Sequence, residues 1–272
     1  MGVHTSAWFG SLQADPVSNS PTFLGLTAAA DQILGFNNNN LVPSGNLYLG
    51  AAAAVGFLST AGLRAARLQT PKTLISPVYI RSVNGDAYPF GDNPNVSDMT
   101  ANPVLMRADE EISASVWVAS TAAAVPAGPV SLITWFWDQK EPIPQGDSYW
   151  VAFTVSGGDL AATKWSSLST FAFLDQTTLP PGRYAIRGMQ LFQVAGSASA
   201  VCGRLVIPNE LMRPGALVLP QAWSRPPLLS SDGSLGVLAR FNAQQPLAME
   251  FFSTSAVTTP TFLGYLHVVQ ER

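Results

Sequence analysis

FNNNNLVPSGNLYLGAAAAVGFLSTAGLRAARLQTPKTLISPVYI, residues 36–80, aligns without a gap with FLDQTTLPPGRYAIRGMQLFQVAGSASAVCGRLVIPNELMRPGAL, residues 173–217, when every position is displaced by 137. Phe36 meets Phe173, Pro43 meets Pro180, Gly45 meets Gly182 and Ala61 meets Ala198. The match continues through Arg67 with Arg204, Leu68 with Leu205, Pro71 with Pro208, Leu74 with Leu211 and Pro77 with Pro214. These are nine identities in 45 positions, where ordinary residue frequencies would produce about three. Proline and glycine fix backbone geometry rather than fill a core, so their recurrence points to the same turns in the same order. The displacement is close to half of the 272 residues, and a repeat on that scale predicts one β-domain built twice. Shared turn composition in a chain with 21 Pro and 22 Gly is the competing explanation.

Past Pro77 the match needs gaps, but the halves end alike. SVWVASTAAAVPAGPVSLITWFW at 115–137 and AMEFFSTSAVTTPTFLGYLHVVQ at 248–270 each read as strand, Pro-containing loop, strand. Short runs rich in β-branched and aromatic residues predict strands at 112–119, 130–137, 149–155, 183–194, 201–207, 235–241, 247–252 and 262–269. Their spacing by turn clusters predicts an all-β chain of sandwiches or barrels, and the repeat makes them two in tandem. The expected division is 1–138 for the first unit with an N-terminal arm, 139–147 for a linker and 148–272 for the second. The linker reading rests on DQKEPIPQGD at 138–147, where Pro142 and Pro144 favour a stiff, extended connector. Thr27 is a candidate N-cap for a helical turn or two over Ala28 to Ile33.

Only 11% of residues are charged and 47% are hydrophobic. Large interfaces between subunits would account for so little charge, and so would a neutral surface coated with Ser and Thr. Strand 130–137 is apolar on both faces, with Trp135 and Trp137 opposite Leu132 and Phe136. It therefore needs cover on both sides, from its own sandwich or from a neighbour.

The formal net charge is −3, and the first 30 residues contain no Lys or Arg. Phosphate binding depends on clustered basic residues, so specific nucleic-acid binding is not expected. No secretory signal is expected at the N-terminus. Met1-Gly2 followed by Ser6 fits the short N-myristoylation pattern, which chance often meets. Residues 41–63 carry no Asp or Glu and no basic residue, yet the matching segment 178–200 contains Arg183 and Arg187, which argues against a membrane span.

Signals for chemistry are sparse. His4 and His267 stand at opposite ends, so no histidine cluster of the kind a duplicated metal-dependent barrel enzyme needs is visible. Cys202 lies in an apolar strand pattern and reads as a core residue. Asp109, Glu110 and Glu111 form the one acidic run; such carboxylates serve a glycosidase or simply a solvated turn. Asp86, Asp92, Asn95 and Asp98, in the long excursion 82–103, are oxygen donors for calcium or ordinary turn formers. Arg67 and Arg204 occupy matching strand positions; a buried arginine there would lock a corner through a carboxylate or loop carbonyls. No catalytic residue, cofactor or metal site is expected.

Two similar all-β halves of nearly equal length, joined by a short stiff connector, with sparse charge and no catalytic cluster, resemble the double jelly-roll major capsid proteins of tailless icosahedral, membrane-containing bacteriophages; LPPGRY at 179–184, ARL at 66–68 and GRL at 203–205 are similar to pieces of phage structural proteins generally. The resemblance implies two jelly rolls side by side and a homotrimer that forms a pseudo-hexameric tile. It further implies location in the virion after assembly in the host cytoplasm. The implied partners are neighbouring capsomers, minor capsid or penton proteins and an internal membrane, with the uncharged N-terminus along the inner face. A virion spike or receptor-binding protein is the alternative, followed by a jelly-roll carbohydrate-binding protein or hydrolase using aromatics such as Trp117 or Trp223.

Overall fold

The computed structural model describes residues 3–12, 18–28, 47–56, 63–69, 74–82, 96–98, 103–107, 110–120, 128–137, 144–174, 179–196, 201–207, 215–218, 236–253 and 255–272. Every regular element among them is a strand. In the first half these are β1 (Val3–Leu12), β2 (Ser18–Ala28), β3 (Leu47–Gly56), β4 (Leu63–Gln69), β5 (Leu74–Ser82), β6 (Val96–Asp98), β7 (Val104–Met106), β8 (Ser113–Ser120) and β9 (Gly128–Trp137). In the second they are β10 (Ser148–Ser156), β11 (Ser169–Thr170), β12 (Ala172–Phe173), β13 (Arg183–Ala195), β14 (Val201–Val206), β15 (Gly215–Val218), β16 (Ala239–Asn242), β17 (Ala248–Ser253) and β18 (Thr261–Gln270).

The second half is two facing sheets, ordered β12-β10-β18-β13-β16 and β11-β17-β14-β15. Strand period does the sorting. Along β18, Phe262, Leu266 and Val268 are buried while Leu263, Tyr265 and His267 on the other face are half-buried. The inward faces meet in an apolar core where Phe251 stacks on Phe262 and Phe153 on Phe171, with ring centroids 4.0 and 3.9 Å apart. This all-β arrangement is consistent with a jelly roll.

Pairing in the first half runs in the same order: β1-β9-β3 with β7, and β2-β8-β4-β5. The end of β2 crosses from β8 to β1, Trp8 facing Ala28, so the two groups join into one sheet; β3 and β5 close its other side in parallel at Ala54↔Ile80. The second half makes the same crossing at Phe171, because β11 pairs with β17 and β12 pairs with β10. The pairing of β3 with β9 shifts register between Leu49 and Ala51, and that of β13 with β18 shifts between Ile186 and Gly188. A bulge bends a strand and re-aims the residues beyond it, and here the two irregularities sit 137 residues apart.

Each of the eight strands read from the sequence is present, although β16 starts four residues later than the expected 235. Two expectations are corrected. The N-terminal segment is not an arm: Val3 to Leu12 pair residue by residue with Trp137 to Gly128, and Trp8 is fully buried. Thr27 caps no helix, because it lies in β2 opposite Phe9; residues 29–33 fall outside the described residues. Both errors have one cause. A neutral segment with few β-branched residues has little local preference, and its partner strand decides its state.

Candidate functional site

Arg204 is the most heavily engaged of the charged side chains that the sequence singled out. On β14 it stands opposite Glu250 of β17, and its Nε donates to Oε2 of Glu250 at 2.6 Å. An irregular edge segment, residues 160–168, runs alongside β17 and sets Trp165 opposite Phe252. The Trp165 ring lies over the guanidinium, with Cζ 3.8 Å from its centroid. The planar cation is thus held by a carboxylate at its edge and an aromatic face above it. The Arg204 side chain is only 8% exposed and that of Glu250 16%, so the pair is buried and acts on the structure of the sheet. Arg67 faces Ser115 at the matching place in β4 and β8.

The other matched positions lie as follows. Pro180, Gly182 and Arg183 form the turn into β13, and the buried Tyr184 hydroxyl donates to the Pro180 carbonyl at 2.7 Å. Burial raises the Tyr184 hydroxyl pKa above its ordinary value, with Tyr149 and Asp147 adding to the effect. Gly182 has φ +154°, and a Cβ there would press on the Gln270 side chain, which donates to the Pro181 carbonyl. Glycine is needed at this corner. Phe173 is an exposed residue of the short edge strand β12. Pro77 lies in β5, whereas Phe36, Pro43, Gly45, Pro71, Pro208 and Pro214 fall outside the described residues.

The candidates for chemistry do not converge. Glu110 is buried and Glu111 is exposed, as alternation dictates, while Asp109 falls outside the described residues. Asp98 belongs to β6, and Asp86, Asp92 and Asn95 fall outside as well. No group of three or more His, Cys, Asp or Glu able to hold a metal occurs among the described residues. No helix among them is long and apolar enough to cross a membrane. Burial pushes the Cys202 thiol up to about 12, an effect that Arg204 partly opposes. Native protein at mildly alkaline pH is therefore expected to leave Cys202 unlabelled by a thiol reagent such as Ellman's, with full labelling after denaturation. Rapid labelling of the folded protein would refute that placement.

Two surfaces missed by motif reasoning matter more. Trp135 of β9 is fully buried and belongs to the core cluster of the second half, and β15 lies against β1, β3 and β9. The second face of β9 is thus covered at Trp135 by the other half of the same chain. On β10 and β18, Trp150 is 52% exposed and stacks on His267 with centroids 4.7 Å apart and planes 2° apart. Nε2 of His267 lies 2.6 Å from the Ser148 hydroxyl. Burial, and secondarily the Arg187 charge, lower the His267 pKa from its ordinary value, so the ring tends to stay neutral. Leu174 extends the patch; it is exposed, and its N–H donates to the Ala152 carbonyl. Two-sided apolarity points to Trp135, but nothing local in the sequence distinguishes Trp150 from a core tryptophan.

No family model matches the chain, and no curated protein does. Among solved structures it is similar to the major capsid protein P2 from bacteriophage PM2, at 11% identity over 96% of this chain and 97% of that one, with a TM-score of 0.21. A superposition this loose carries no weight for fold or role.

Proposed function

We propose that this chain is a viral major capsid protein: two jelly rolls in tandem, non-enzymatic, whose homotrimers tile an icosahedral shell. The observation that carries the reading is the shared strand order of the halves, with a register shift at Leu49/Ala51 in one and at Ile186/Gly188 in the other. A bulge is a specific device, and its recurrence at the same displacement as the Pro and Gly matches fits duplication of one module. A duplicated module lets three chains present six similar edges, which suits a closed shell. Sparse charge and exposed aromatics such as Trp150 fit a protein whose faces are covered by copies of itself.

In this reading the protein resides in the virion after assembly in the host cytoplasm. Its partners are neighbouring capsomers, minor or penton proteins and, on the inner side, a membrane. Mass measurement of the purified protein by light scattering, followed by electron cryomicroscopy of particles, tests the proposal. A stable species of three chain masses and many copies per shell are expected. A monomer at all concentrations would overturn the trimer, and a few copies per particle would make the protein a spike instead.

A further inference from the structure

Both halves carry a sheet with a bulge in the equivalent strand, and among the described residues the outward face just past it is covered in the first half and partly exposed in the second. In β9, Trp135 pairs with Ala51, the first position past the bulge of β3; in β18, His267 pairs with Gly188, the first position past the bulge of β13. The equivalence extends across the sheet, because Thr5 of β1 faces Trp135 as Trp150 of β10 faces His267. Trp135 has no exposed surface, whereas His267, at the equivalent site, is only half-buried, and Trp150, stacked on it, keeps half of its own surface. The cover over the first face comes from the second half, whose strand β15 lies against β1, β3 and β9.

We infer that the outward face around Trp150, His267 and Leu174 is the docking site for a second copy of this chain, which presents the β4–β5 side of its first half. This rests on the trimer reading above and names its contact. The occupant is set by the correspondence of strands. What β15 is to the first-half face, β5 is to the second-half face, since each follows and pairs with the corresponding strand, β4 or β14, although the end of β5 also pairs with β3. Within one chain β15 is already used against the first half, while the Trp150 face is open. The contact joins unlike surfaces, and in the trimer of the reading above, where each chain is turned by a third of a circle, its repetition closes a ring with no face left over. The patch also has the character of a binding anchor: a large aromatic held rigid by a stacked neighbour, which loses little freedom on docking.

The test combines mass, stability and cross-linking. Trp150→Glu is expected to raise the concentration at which the trimer dissociates by at least about thirtyfold, with circular dichroism of the monomer unchanged. Leu168→Glu, at an exposed apolar residue outside the patch, should leave the trimer intact. Benzoylphenylalanine in place of Trp150 should cross-link between chains to the segment spanning 63–82. A trimer that persists unchanged in Trp150→Glu, or cross-links that return to 148–174 of the other chain, would overturn the docking site while leaving the trimer standing. A wild-type protein that never trimerises would instead sink the capsid reading itself.

Discussion

Arg204→Ala is expected to lower the stability of the chain by about 3 kcal/mol, because removing one partner of a buried ion pair strands the other without its counter-charge. For a protein of this size that corresponds to a drop in melting temperature of roughly 6 to 12 °C. Glu250 is the residue left behind, mostly buried beside Phe252 and Trp165, and the Trp165 ring loses the cation that lies on it. Two further variants separate charge from shape. Arg204→Lys keeps the charge but loses the flat surface that stacks on Trp165, and should fall between alanine and wild type. Arg204→Met combined with Glu250→Leu removes both charges and keeps the volume, so it should recover most of the loss. Calorimetry on the four proteins checks the series; a melting temperature for Arg204→Ala within a degree or so of wild type would rule out the structural role.

The second large effect is expected at Trp135. Truncating a fully buried aromatic to alanine costs about 3–5 kcal/mol through lost burial and the cavity left behind. Trp135 packs with residues of the second half, so the loss falls on the coupling between halves as well as on either core. Wild-type protein should therefore unfold in one cooperative transition, and Trp135→Ala in two, or in one that is broader and lower. Trp135→Phe should be far milder. The indole Nε1 is buried without a hydrogen-bond partner among the described residues, and a phenyl ring removes that donor while keeping much of the contact. A Trp135→Ala protein that melts as one sharp step at the wild-type temperature would show that the halves do not depend on this contact.

Much of this architecture was legible because its determinants are local. Pro and Gly set turns without reference to the rest of the chain, and alternation along β10 and β18 announces a strand with one buried face. That is why eight strands and the displacement of 137 can be read from the chain alone. The same logic passes over β3. Its Ala51–Ala54 run favours helix when isolated and becomes a strand because β9 pairs along it on one side and β6 and β7 on the other. It also passes over β1, whose ten residues take their state from β9, more than a hundred positions away.

The candidate site divides in the same way. The sequence marked Arg204 by its match with Arg67, but it could not name Glu250 or Trp165, which reach it from 46 and 39 positions away through β17 and the edge beside it. It marked β9 as needing cover on both faces, and only the folded chain decided that the cover over Trp135 is the other half while Trp150 stays open. What the sequence determined by itself was the all-β character, the turns and the strand periodicity, since these depend on each residue's own backbone and its nearest neighbours. Which strands pair, in what register, and which apolar face is covered were decided by tertiary structure, because those choices weigh contacts between residues that no local window contains.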